Sequence, residues 1–119
     1  APRKRLSREV RHAYCAPYDS PANRLATLRF VQDIPLHSGD PSHDTVSGIE
    51  KGLPLFSETP VLLLWGDQDF VFGPDVMKVF ENLWPQAEGH HFPNAGHYVL
   101  EDASDEILPL LRDFLARHS

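Results

Sequence analysis

Two residues in this sequence have the type and setting for proton chemistry, Asp69 and His97. Asp69 is the third residue past Gly66, in the stretch Gly66-Asp67-Gln68-Asp69. His97 ends the turn Pro93-Asn94-Ala95-Gly96-His97, where Gly96 permits a tight, left-handed backbone. A histidine carried on a turn can act as a general base near neutral pH. A carboxylate beside it orients the ring and stabilises its protonated form, which supplies two members of a nucleophile, base and acid triad. Asp67 lies nearer the strand and is either an alternative acid or a loop cap. Asp75 follows Pro74 in a first helical turn, where a carboxylate suits the helix dipole, and is given no chemistry. One histidine among seven would carry little weight. The ordered set carries more: strand, aspartate turn, helix, strand, Gly-His turn, helix.

The elements that must position this pair start from Val61-Leu62-Leu63-Leu64-Trp65, an unbroken apolar run between Pro60 and Gly66. A short run bounded by breakers reads as a strand buried on both faces. Its carboxyl end is where open parallel α/β sheets place their chemistry. Pro74 opens a helix with Val76, Val79, Phe80 and Leu83 on one face, and Trp84-Pro85 closes it. Residues 88–92 form a weaker strand. Asp102 or Ser104 caps a last helix with Ile107, Leu108, Leu111, Phe114 and Leu115 inward. Pro109 should kink that helix or delay its regular part to about Leu108. Strand, helix, strand, helix implies parallel strands joined by right-handed crossovers.

The first half shows no strand pattern. Leu6 to Tyr14 forms a helix capped by Ser7. Ser20-Pro21 starts a second, with Leu25, Leu28 and Val31 as a partial apolar stripe. Ser42 caps a third through about Lys51, with Val46 and Ile49 inward. Pro17, Pro35, Gly52 and Pro54 mark the joints. Residues 1–52 are thus a helical segment and 53–119 an α/β one. Strand 61–65 has no polar face, and two strands with two helices cannot cover its faces and edges. Either more sheet lies on another chain, or this is a piece of a longer protein. The opening Ala1 suggests a processed or cleaved product, or a partly described chain.

Other chemistries fit poorly. The net charge of −6 argues against nucleic acid as the main partner. Arg3, Lys4, Arg5, Arg8 and Arg11 read as a solvated helix face, and no apolar signal core comes after them. No transmembrane segment is present. Cys15 stands alone, so no internal disulfide forms; it reads as a small buried residue and fits a reducing, cytoplasmic compartment. His90 and His91 are adjacent on a strand and point to opposite faces, so no shared metal is expected. Phosphate-loop and dinucleotide fingerprints are absent, and no cofactor is expected. Tyr14, Tyr18 and Phe30 line an apolar pocket or simply pack helices. Trp65 and Trp84 read as core and rim. The nucleophile elbow G-x-S-x-G, or its aspartate variant, occurs nowhere; Ser47-Gly48 lacks the first glycine.

Residues 60–69 with Gly73-Pro74-Asp75-Val76 resemble the acid-bearing segment of α/β-hydrolases, and residues 95–102 resemble their histidine loop and final helix. Within that superfamily the chain is most similar to haloalkane dehalogenases. Ala16-Pro17-Tyr18-Asp19-Ser20 and residues 29–35 resemble the end of that family's helical cap, and the second is also similar to the β-lactone decarboxylases of olefin biosynthesis. The resemblance covers only the C-terminal part of the family's length. It implies Asp69 as acid and His97 as base, a small apolar substrate, and hydrolysis through a covalent ester. The attacking aspartate would lie on an N-terminal segment or companion chain, leaving this chain inactive alone. An epoxide hydrolase or serine esterase of the same fold shares every visible residue. A binding module that kept only part of the scaffold is the non-catalytic alternative.

Overall fold

The computed structural model describes residues 3–119. They form two compact units, one of residues 7–53 and one of residues 3–6 with 54–119.

The first unit is helical. Helix α1 (Arg8–Cys15) begins where expected, with the Ser7 hydroxyl accepting from the Val10 N–H at 3.2 Å. Of the five basic residues, only Arg8 and Arg11 lie on this helix; residues 3–5 precede it. The Ser20 hydroxyl accepts from the Asn23 N–H at 3.2 Å, but it opens a single 3-10 turn, Ala22–Arg24, before α2 (Leu25–Gln32) begins. Asp40 organises the next loop by accepting from the N–H groups of Leu36 and His37 at 2.7 and 2.8 Å. Helix α3 (His43–Gly52) forms as expected, yet Ser42 sits in helical conformation and its side chain caps nothing. Val46 and Ile49, expected inward, are exposed, and none of the three helices of this unit buries a residue. Tyr18 and Phe30 line an open groove together with Ala26, Thr27 and Val31. Cys15 is exposed, not buried, since it falls in the last turn of α1.

The second unit carries the sheet. Strands β1 (Leu62–Gly66) and β2 (Glu88–Phe92) pair in parallel, from Leu62 opposite Glu88 to Gly66 opposite Phe92. Helix α4 (Pro74–Leu83) connects them, with proline at its first position, where a missing N–H costs nothing. Met77 is fully buried, and the inward stripe runs from it to Phe80 and Trp84 at i, i+3 and i+7. Trp65, Phe80 and Trp84 form a ring ladder, with centroids 6.1 and 5.5 Å apart. Val79, expected on that stripe, lies off it and is exposed. The expected burial of β1 on both faces is not reached: of Leu62 to Trp65 only Leu63 is buried. With a single neighbouring strand among the described residues, Leu62, Leu64 and Trp65 remain only half-buried.

Helix α5 (Val99–Asp102) and helix α6 (Ser104–Arg117) close the unit. Neither Asp102 nor Ser104 caps α6; the residue before it is Ala103, which is buried. Pro109 lies inside α6, which runs from Ser104, so the later start, one of the two outcomes expected, does not occur. A proline there removes one donor, the N–H that would reach residue 105. Phe92, Ala95, Ala103 and Ile107 make the core, packed by Leu64, Val99 and Leu110. Leu108 and Leu115 are exposed, contrary to expectation. The core thus gathers under the tips of the two strands, where the candidate residues sit.

Candidate active site

The tips of β1 and β2 are knit together by backbone hydrogen bonds. Asp67 N–H donates to the Phe92 carbonyl at 3.1 Å and Gln68 N–H to the Ala95 carbonyl at 2.9 Å. Asp69 N–H returns to the Gly66 carbonyl at 3.1 Å, closing a tight turn. Gly66 is required here by space. A Cβ on it would stand 2.5 Å from the Gly96 carbonyl oxygen and 2.7 Å from that of Ala95. No described glycine has a positive φ, so the left-handed backbone expected at Gly96 is not used.

This close approach brings Asp69 and His97 together. His97 Nδ1 lies 3.0 Å from both Oδ1 and Oδ2 of Asp69. Asp69 Oδ1 also accepts from the N–H groups of Val71 and Phe72, at 2.8 and 3.0 Å. The carboxylate folds its own loop back on itself, as aspartates in turns do. The far side of that loop is pinned by the Trp65 indole N–H, which donates to the Phe72 carbonyl at 2.7 Å. The Asp69 side chain is only 10% exposed, that of His97 35%. Burial pushes the Asp69 carboxyl up, but the N–H donors of Phe72 and Val71, with His97, outweigh it and hold the carboxyl below its usual range. An ionised carboxylate only accepts, so Nδ1 carries the proton. Nε2 is then the nitrogen left to take a proton from a reacting group.

Aromatic rings surround the imidazole. The centroids of Phe70, Phe72 and Tyr98 lie 5.8, 5.9 and 5.8 Å from that of His97. Phe70 is 76% exposed. The chain's only hint of these neighbours is an aromatic on either side of Val71 and another beside His97. No spacing rule connects the two places, so the rings escape notice in the sequence.

The other candidates lie elsewhere. Asp67 does not reach His97; its Oδ1 is 2.7 Å from Nδ1 of His91. His90 pairs instead with Glu88 at 2.9 Å, so the adjacent histidines do face opposite ways. Asp75 pairs with Lys78 at 3.2 Å on the surface of α4. Among the described residues no group of three or more His, Cys, Asp or Glu is placed to hold a metal ion. No helix of the described residues is long and apolar enough to cross a membrane.

A family model described as the alpha/beta hydrolase fold matches residues 4–104. The chain belongs to that family. Among curated relatives, this α/β-hydrolase chain is 47% identical over 113 residues to a cis-3-alkyl-4-alkyloxetan-2-one decarboxylase of Shewanella oneidensis, covering 95% of this chain and 36% of that protein. It is 40% identical over 115 residues to an enzyme of the same name from Xanthomonas campestris pv. campestris, covering 97% of this chain and 38% of that protein. A haloalkane dehalogenase of Mesorhizobium japonicum is 24% identical over 102 residues, covering 86% of this chain and 33% of that protein. The chain therefore spans a little over a third of the length of the two more similar relatives. The resemblance to an α/β-hydrolase, with dehalogenase and β-lactone decarboxylase kin, is borne out.

Proposed function

We propose that this chain is the C-terminal part of an α/β-hydrolase-fold enzyme and supplies its acid, Asp69, and its base, His97. The observation that carries this reading is the 3.0 Å contact of His97 Nδ1 with both oxygens of Asp69, at the tips of adjacent parallel strands. The helical segment up to residue 52 is the end of a helical cap and its return connection, and residues 53–119 are the end of the core; residues 3–6, which group with the sheet unit, depart from that division. The nucleophile, an aspartate or a serine, comes from a segment outside this chain.

The acid–base pair serves several reactions of the family, so the substrate rests on the relatives. Sequence resemblance alone puts dehalogenase-like hydrolysis first. The identities of 47% and 40% to the decarboxylases, against 24% to the dehalogenase, favour a cis-3-alkyl-4-alkyloxetan-2-one. Such a substrate is a small lactone ring bearing two hydrocarbon chains, and those apolar chains suit the aromatic surround of His97. Loss of carbon dioxide breaks the bond from ring carbon to carboxyl and the bond from ring carbon to oxygen, and leaves an alkene. Lactone, alkene and carbon dioxide exchange no proton overall, so His97 Nε2 takes a proton from the nucleophile or a water and returns it before the turnover ends, while Asp69 stabilises the imidazolium in between. In the hydrolytic reading, an aspartate displaces halide and forms an ester, and His97 activates the water that cleaves it.

The test uses the full-length protein. It is given a cis-3-alkyl-4-alkyloxetan-2-one and, separately, a haloalkane, and alkene and halide are measured. Alkene without halide release is expected. Halide release without alkene would put the hydrolytic reading first. Replacing His97 by alanine should lower turnover by about 10³-fold or more; unchanged turnover would remove the base role altogether.

A further inference from the structure

Asp102 sits five residues past His97 and touches the chain on both sides of it. Its Oδ2 accepts from the Gly96 N–H at 2.9 Å, the peptide just before His97. Its own backbone N–H donates to the Tyr98 carbonyl at 3.0 Å, just after His97. The Glu101 N–H reaches that same carbonyl at 3.0 Å, and Ala103 N–H reaches Val99 at 2.9 Å. The other oxygen, Oδ1, accepts from the Lys4 N–H at 2.6 Å. Asp102 is also anchored from behind, because Ala103 and Ile107 beyond it are buried in the core. We propose that Asp102 is a positioning residue that holds the backbone on either side of His97, and so fixes the imidazole against Asp69.

Asp69 holds one atom of the ring, Nδ1, and leaves the ring free to swing with its backbone. The flanking rings of Phe70, Phe72 and Tyr98 limit that swing, and the peptides at 96 and 98 set where the ring starts from. The Gly96 carbonyl faces the bare α-carbon of Gly66, and the Gly96 N–H faces Asp102, so that residue is held on both sides. Charge-assisted hydrogen bonds to a carboxylate are roughly twice as strong as neutral ones. A base displaced by about 1 Å can lose on the order of 10²-fold in rate. Asp102 touches no reacting atom, so its effect should fall on turnover, not on substrate binding.

This inference rests on His97 being the base, and the experiment separates the two. Full-length protein is assayed with a cis-3-alkyl-4-alkyloxetan-2-one, with kcat and KM measured for Asp102→Leu, Asp102→Asn and His97→Ala. Each assay is run below the melting temperature of the variant, on folded protein. Asp102→Leu has no acceptor and is expected to lower kcat about 20-fold or more, with KM within about three-fold. Asp102→Asn keeps one neutral acceptor, and its kcat should fall between that variant and the wild type, by about three- to ten-fold. Wild-type kcat in Asp102→Leu, or a raised KM with kcat kept, overturns the positioning role. Should Asp102→Leu not fold, Asp102→Asn decides alone, and wild-type kcat in it overturns the proposal. If His97→Ala is fully active, the base assignment falls first and takes this inference with it.

Discussion

Asp69 meets three donors at once: His97 Nδ1 and the N–H groups of Val71 and Phe72. Substitutions there separate two jobs. Asp69→Asn can still accept through its carbonyl oxygen, so the loop should hold. It cannot supply the charge an imidazolium needs, and turnover of the full-length enzyme should fall by about 10³-fold or more. Asp69→Ala also strands the two loop N–H groups and should cost a further 1–3 kcal/mol or so in chemical denaturation. The same contacts set the pH dependence. The carboxyls of Asp69 and Asp102 are held below the usual value of 3.8 by N–H donors that outweigh their burial. A depressed folded-state pKa stabilises the fold above the unfolded value, and that stabilisation is lost as pH falls through the folded one. The denaturant midpoint should therefore be insensitive to these two groups from neutral pH down to about 5 and decline below it. Asp69→Asn should flatten part of that decline.

At the scale of elements, the sequence is most legible where a pattern is complete within one element. Residues 88–92, expected as a strand, form β2, and the apolar run expected at 61–65 forms β1 one residue on, at Leu62–Gly66. Ser7 caps α1 because its hydroxyl and the Val10 N–H are local. The expectations that fail need knowledge of neighbours. Helical spacing places Val79, Leu108 and Leu115 inward, but the stripe that is covered depends on where the sheet lies, and Met77 takes the deep position. Ser42 has the right chemistry for a cap and the wrong backbone. Order and spacing anticipate the Asp69–His97 contact. They do not anticipate the hold of Asp102 on residues 96 and 98, because it arises from a turn of α5 that no motif announces. Two substitutions test the packing. Gly66→Ala must push the Gly96 and Ala95 carbonyls away and should destabilise by about 1–3 kcal/mol, measured by urea unfolding, with turnover falling more steeply than stability. Ile107→Ala, at a fully buried site, should cost about 2–5 kcal/mol by the same measure.

At the scale of the whole chain, the sheet has two strands and the rest of its edges unpaired among the described residues. Each unit also leaves large apolar side chains exposed. Leu25, Leu28, Phe30 and Ile34 are exposed in the helical unit, and Leu55, Phe70, Val79 and Leu100 in the sheet unit. Patches of that kind mark surfaces made to be covered. Residues 1–119 produced alone should therefore bind a hydrophobic dye and self-associate, and the full-length enzyme should do neither. Size-exclusion chromatography with light scattering makes the comparison. A monomer that unfolds cooperatively would instead favour the binding-module reading.

Asp69 and His97 stand in the loops three and five residues past the ends of adjacent parallel strands, and each residue along a strand advances about 3.3 Å. The 3.0 Å link between His97 and Asp69 is shorter than one such step. It works as a vernier: slip either strand by a single notch and the bond is gone. A spectroscopic signal from that shared proton would then time the moment during refolding at which the two strands find their correct alignment.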